Sequence, residues 1–294
     1  MEDLRMSRQD GKALWGFCWL GLLSVFTLAC ESKQKGEEAP APNPQPPSPA
    51  VSTAPADYPQ VFCQNLTKLK IKPVPNLETS ITYLCKSGNA TDKLRSLIQA
   101  ATTAPDDPKE QTKIYVEKSI DTPDGWSEFI YLWAFVAPIQ PVDIKNRPVV
   151  ETLAKGYSSP TTEMKTTATP LGTEALDNTG FHIKSTKLEY ALRITGDNGF
   201  KAEHARTTEF NIYQVATSEM GFSEEHLIDA QNPNYKFSTM INFSVKDCRP
   251  GKTGSVVVNL LNINIFNQGS PSVAKNTATD ISRYLAESLY NALK

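Results

Sequence analysis

The spacing of apolar residues divides the chain into a start without helical or strand period, a short helical stretch, and a long run of strands closed by one helix. Residues 61–69 and 81–101 carry apolar positions at helical spacing, separated by Lys72-Pro73-Val74-Pro75-Asn76. Within the second, residues 91–101 predict a helix with Leu94, Leu97, Ile98 and Ala101 on one face and Thr91 or Asn89 as its cap. Pro105 and Pro108 end that region. The period then changes to two, because alternate side chains of a strand point to opposite faces. Residues 112–120 place Ile114, Val116 and Ile120 together, and 187–195 set Leu188, Tyr190, Leu192 and Ile194 against Lys187, Glu189 and Arg193. Gly196-Asp197-Asn198-Gly199 predicts a turn and 207–217 a further strand region. Phe237, Thr239, Ile241, Phe243 and Val245 share a face. After the turn Arg249-Pro250-Gly251-Lys252-Thr253-Gly254, residues 255–266 predict one long strand. Its apolar parity changes between Val258 and Leu261, which predicts a bulge near residues 259–260. Residues 221–232 read as a short helix between strands, a connector in preference to a lid over a cavity.

The last segment, 272–293, repeats Val273, Thr277, Ile281, Tyr284, Leu285, Leu289 and Ala292 at three- and four-residue spacing, an amphipathic helix. Strands in succession followed by one helix predict an α+β fold, a curved antiparallel sheet packed on a long C-terminal helix and preceded by a small helical segment.

The chain's start carries no such period. Residues 1–12 are polar with Arg5, Arg8 and Lys12, and 13–29 are uncharged and mostly apolar. This is the layout of a secretory signal, and the apolar run is slightly short of the ~20 residues of a spanning helix. Thr27-Leu28-Ala29-Cys30 resembles a bacterial lipobox, with Thr27 where leucine is commonest. The resemblance implies diacylglycerol on Cys30, cleavage before it, and attachment to a membrane of the bacterial envelope. Glu31 after the cysteine favours the outer membrane over the inner by the same resemblance. Residues 31–56 begin charged and then carry Pro40, Pro42, Pro44, Pro46, Pro47, Pro49 and Pro55, a composition that favours an extended tether. The expected organisation is a signal over 1–29, a lipidated cysteine and tether over 30–56, a helical segment over 57–110 and the α+β part over 111–294.

Cysteines sharpen this picture. An oxidising envelope permits disulfides, and a Cys63–Cys85 bridge would clasp the two early helical segments. Cys248 is then left over as a half-buried thiol, with pairing to Cys63 or Cys85 open, since spacing does not fix connectivity.

The order of elements over 112–294 resembles the helix-grip fold of the START and birch-allergen-like superfamily. There an early strand, here 112–120, precedes short helices, here 127–136 and 149–155. A meander follows, here from Phe181 to Phe266, and a gripping helix closes it, here 272–293. Residues 127–136 serve equally as a strand paired with 112–120, and 158–179 has no pattern. The resemblance implies a lipid or other hydrophobic ligand bound between sheet and helix, and the expected role is that of a non-catalytic binding module.

Charge and motifs narrow the chemistry. The net charge of −2 gives no basic excess for nucleic acid. Gly251-Lys252-Thr253 lacks the earlier glycine of a phosphate loop, with Lys246 in its place. His182, His204 and His226 fit no metal-ligand spacing, no G-x-S-x-G elbow occurs, and no cofactor is indicated. An enzyme therefore ranks last. Trp126, Phe129, Tyr131, Trp133 and Phe135 cluster and read first as core, second as a pocket wall. Trp126, Trp133 and Tyr284 are the candidate ligand-binding residues. The alternative function is an envelope interaction protein that docks on another protein or the cell wall and has no cavity.

Overall fold

In the computed structural model the described residues are 57–66, 76–158, 162–175, 182–195, 201–214, 220–229, 235–267 and 270–294. The signal, Cys30, the tether, the turn at 196–199 and Phe181 lie outside them.

Helices α1 (Tyr58–Leu66), α2 (Leu77–Lys86) and α3 (Gly88–Thr103) come first, followed by the single turn α4 (Pro108–Gln111). Cys63 and Cys85 are disulfide-bonded as expected, with Cα atoms 5.5 Å apart, and tie α1 to α2. The cap of α3 is corrected. Ser87, three residues before Ala90, accepts its backbone N–H at 3.4 Å and starts the helix earlier than Asn89 or Thr91 would. Thr91 instead donates its hydroxyl to the Leu84 and Ser87 carbonyls. Cys248 is also corrected. It is disulfide-bonded and not a left-over thiol.

Nine strands among the described residues form one antiparallel sheet in the order β1-β2-β9-β8-β7-β6-β5-β4-β3. They are β1 (Tyr115–Asp121), β2 (Trp126–Ala137), β3 (Tyr157–Ser158), β4 (Thr162–Ala175), β5 (His182–Thr195), β6 (Lys201–Gln214), β7 (Met220–Asp229), β8 (Tyr235–Lys246) and β9 (Ser255–Phe266). A 3₁₀ helix (Pro141–Asn146) and α5 (Val149–Leu153) follow β2, and α6 (Pro271–Leu293) ends the chain. The last strand, β9, lies beside β2, and the expected early strand 112–120 corresponds to β1 at the edge of the sheet.

One open alternative is decided and three expectations change. Residues 127–136 are strand, paired with β1 on one side and β9 on the other. Both faces of β2 are covered, so its alternation is apolar against apolar and leaves no polar signal. Residues 221–229 are strand β7, not a helix or lid, because they pair with both β6 and β8. The patternless stretch 158–179 contains β4, whose outward residues Lys165, Thr167 and Thr169 are exposed near the edge of the sheet. No bulge breaks β9 at residues 259–260, where its register with β2 and β8 runs on without a shift.

The parity change in β9 has another cause. One side of the sheet meets α6, α5 and the 3₁₀ helix, and takes Val257, Leu261, Ile263 and Ile265. The opposite side meets α1–α3 and takes Val256, Val258 and Leu260. Both parities are buried, so apolar residues occupy both. Close approaches need small residues: a Cβ on Gly221 of β7 would stand 2.7 Å from the Pro141 carbonyl oxygen.

Candidate functional site

On the helix-facing side, α6 grips the sheet through apolar and aromatic contacts. Tyr290 meets Phe135 edge-on with ring centroids 6.0 Å apart, and Tyr131 shares a 3.0 Å hydrogen bond with Thr279. Beneath the C-terminal part of α6 the packing is close. The space lined by Phe210, Ile212, Ser223, Asn242, Val257 and Leu289 is about 10 Å³, room for one water at most. That end does not hold a ligand-sized cavity in this state.

Polar residues cross the same side in two bands. Strand pairing aligns Ser223, Asn242, Asn259 and Trp133 in one row from β7 to β2. Asn242 donates to Ser223 Oγ at 3.1 Å, and Asn259 donates to Asn242 Oδ1. Asn259 Oδ1 and Trp133 Nε1 remain buried without a partner.

The second band lies further from the closed end and carries charge. Arg206 of β6 faces Tyr190 of β5 across the ladder and is 5% exposed. Its guanidinium carbon stands 4.6 Å from the Tyr190 ring centroid and 5.8 Å from that of Tyr235. It donates one hydrogen bond, from Nη1 to Ser238 Oγ at 3.3 Å. Glu225 of β7, 4% exposed, accepts from Tyr190 Oη at 2.9 Å and Thr208 Oγ1 at 2.7 Å through Oε1. Its Oε2 has no partner. Glu225 and Arg206 form no ion pair within 4 Å, so neither charge is neutralised by direct contact with the other. From above, Tyr284 of α6 shares a 3.1 Å hydrogen bond with Thr166 and donates to the Leu153 carbonyl.

Burial sets the protonation of these phenols. It pushes Tyr190 well above its usual range, with the Glu225 charge adding to it. Burial raises Tyr235 to about 12 although Arg206 pulls the other way, and raises Tyr284 as well. All three stay protonated at neutral pH and serve as neutral donors.

Of the three residues expected to bind ligand, Trp133 and Tyr284 lie together in the helix-facing core. Trp126 does not join them. Even-numbered residues of β2 face the other side, and Trp126 is half-buried with its ring 5.3 Å from that of Phe266. Arg206 and Glu225 were missed. The signal available was the parity of β6, in which Arg206 shares a face with Phe210 and Ile212.

Two other polar places are less promising. On the α1–α3 side, Glu224 is 0% exposed and meets His226 Nδ1 at 2.9 Å, while Asn211 donates to Glu224 and accepts from Ser185 at 2.6 Å. Burial draws His226 down, but the hydrogen bond and charge of Glu224, with Glu209 and Glu225 behind, raise its pKa overall. Asn262 and Asn264 each leave Oδ1 without a partner on this side too. An orphaned amide therefore does not distinguish the two sides, whereas separated buried charges do. His182 and His204 pair with Gln214 and Leu192, at opposite ends of the β5–β6 pair. Among the described residues no group of three His, Cys, Asp or Glu stands close enough to share a metal. The Gly251-Lys252-Thr253 turn lines an open cleft of about 450 Å³ with Tyr290 and Lys294. Its Arg249 is committed to Asp247, at 2.5 Å, and to the Thr102 carbonyl.

No protein-family model matches the chain, and no curated protein does. Solved structures match part of the chain. The human StarD13 (DLC2) lipid transfer and protein localization domain is 7% identical, covering 60% of this chain and 88% of that one, with a TM-score of 0.31. Ara h 8.0201 is 10% identical, covering 56% of this chain and 97% of that one, with a TM-score of 0.28. The lipid transfer in the first name is a property of the human domain.

Proposed function

We propose that the chain is a lipid-anchored protein of the bacterial envelope that binds an amphipathic small molecule on the helix-facing side of its sheet. The observation that carries the reading is the separation of Arg206 from Glu225. A buried charge without a counter-ion costs several kcal/mol, even after local relaxation. Two such charges on one side of a sheet, among aromatic rings, suit a site that a ligand completes. The polar end of the ligand would meet Arg206, Tyr190, Tyr235 and Ser238, and its apolar part would lie toward Trp133 and Tyr284. Because the space near Leu289 is closed, entry requires α6 or α5 to give way.

Anchoring rests on the signal-like residues 1–29 and on Cys30. The test is mass spectrometry of the full chain extracted from bacterial envelopes in nonionic detergent. The reading expects an N-terminal peptide beginning at a diacylglyceryl-modified Cys30. Under native conditions it expects a further, non-covalent mass that disappears on denaturation. An unmodified Cys30 removes the anchor, and a chain with no non-covalent mass removes the ligand.

The close packing beneath Leu289 favours a second reading, an envelope interaction protein with a solid core. A partner protein recovered with the full chain, together with the absence of any small-molecule mass, would select it.

A further inference from the structure

The geometry points to an oxyanion, a carboxylate or a phosphate, as the head group of the ligand, held by the Arg206 guanidinium. This rests on the binding role proposed above and adds the chemistry of the recognised group. A guanidinium carries five N–H donors in a planar fork, matched to two oxygens of one anion. Arg206 uses one of them, on Ser238 Oγ. Its other contacts are the faces of Tyr190 and Tyr235, which stabilise the cation and leave its edge donors unfilled.

The natural internal partner for this cation is Glu225, and the structure holds it elsewhere. Oε1 of Glu225 is taken by the hydroxyls of Tyr190 and Thr208. Tyr190 thus links the two charges, its hydroxyl on the carboxylate and its ring beneath the guanidinium, and fixes them apart. The groups facing Arg206 from the packed elements are the phenols of Tyr190, Tyr235 and Tyr284 and the Glu225 carboxylate. The phenols are neutral, so the anion enters beside one fixed negative charge, whose Oε1 is already doubly hydrogen-bonded. A neutral head group would leave the guanidinium edge unfilled. An ammonium would meet the like charge of Arg206.

The test presents the full chain in nonionic detergent with equimolar hexadecanoate, hexadecyl phosphate and hexadecanol, and reads the bound fraction of each by native mass spectrometry. The tails are alike, so the comparison isolates the head group. Hydrogen bonds to a charged group contribute about 1.5–3 kcal/mol, so the preferred anion should exceed the alcohol by roughly tenfold or more. Hexadecanoate over hexadecyl phosphate assigns a carboxylate, and the reverse order a phosphate. Arg206→Gln should abolish the preference and keep some alcohol bound. Arg206→Lys, which keeps the charge and loses the fork, should keep part of it and guards against misfolding of the first variant. Alcohol bound as well as either anion, or a preference that survives Arg206→Gln, overturns the inference and leaves the binding role standing. Failure of all three ligands to bind overturns both.

Discussion

The two ends of the helix-facing side are built from one sheet and covered by neighbouring elements, yet they solve burial differently. At the end near Phe135, Val257, Leu289 and Leu293, side chains close to leave about 10 Å³. At the other, Arg206 and Glu225 are buried with hydrogen-bonding capacity to spare. Close packing serves stability, because apolar side chains there fill the space between sheet and helix. Buried charge without a counter-ion detracts from stability and calls for another reason to be retained. Under the proposed binding role, the difference separates residues that hold helix to sheet from residues that would meet a ligand.

The sharpest way to break this comparison is to cut into the closed end. Phe135→Ala should lower unfolding stability by about 3–5 kcal/mol in a denaturant titration, since the cavity cannot refill. A loss below about 1 kcal/mol would mean that this end is not closely packed. Next in size, Cys63→Ser opens the loop between α1 and α2 and should cost roughly 3 kcal/mol. Because the bridge lies on the α1–α3 side, ligand affinity should stay unchanged in the same variant, measured by native mass spectrometry. At the polar end the sign reverses. Arg206→Met, which replaces an unpaired charge with an apolar side chain, should leave stability unchanged or raise it by about 1 kcal/mol. A loss above about 2 kcal/mol would show that Arg206 holds the fold.

The smallest effect concerns the α1–α3 side. His226 is raised above its ordinary value near 6.5 by Glu224, despite the opposing effect of burial. The folded state therefore binds the proton more tightly than the unfolded chain. That contribution to stability is fully present below about pH 6.5 and is lost as pH rises through the folded pKa. An NMR titration should place the His226 midpoint above 6.5, and Glu224→Gln should lower it. A midpoint unmoved in that variant would remove Glu224 as the cause.

Much of the fold was legible where one face of an element is wet. Residues 187–195 alternate cleanly because Glu189 and Arg193 point to solvent, and α6 shows its stripe because Lys275 and Arg283 do. Legibility failed where both faces are buried. In β2, apolar residues at both parities left helix and strand open, and in β9 they imitated a bulge. In β7, Glu224 and Glu225 look like surface acids and lie buried on opposite sides of the sheet. The site was harder still. Trp133 and Tyr284 stand out by size, whereas Arg206 stands in the charged first half of Lys201–Gln214, where its shared parity with Phe210 and Ile212 is the one sign that it turns inward.

The most direct test of the account is hydrogen–deuterium exchange on the full chain, with and without the hexadecyl anion that binds more tightly. The account predicts slowed exchange in β5, β6, β8 and α6 around Tyr190, Arg206, Tyr235 and Tyr284, with α1–α3 unchanged. Protection confined to α1–α3, or to the cleft lined by Gly251 and Lys294, would contradict it.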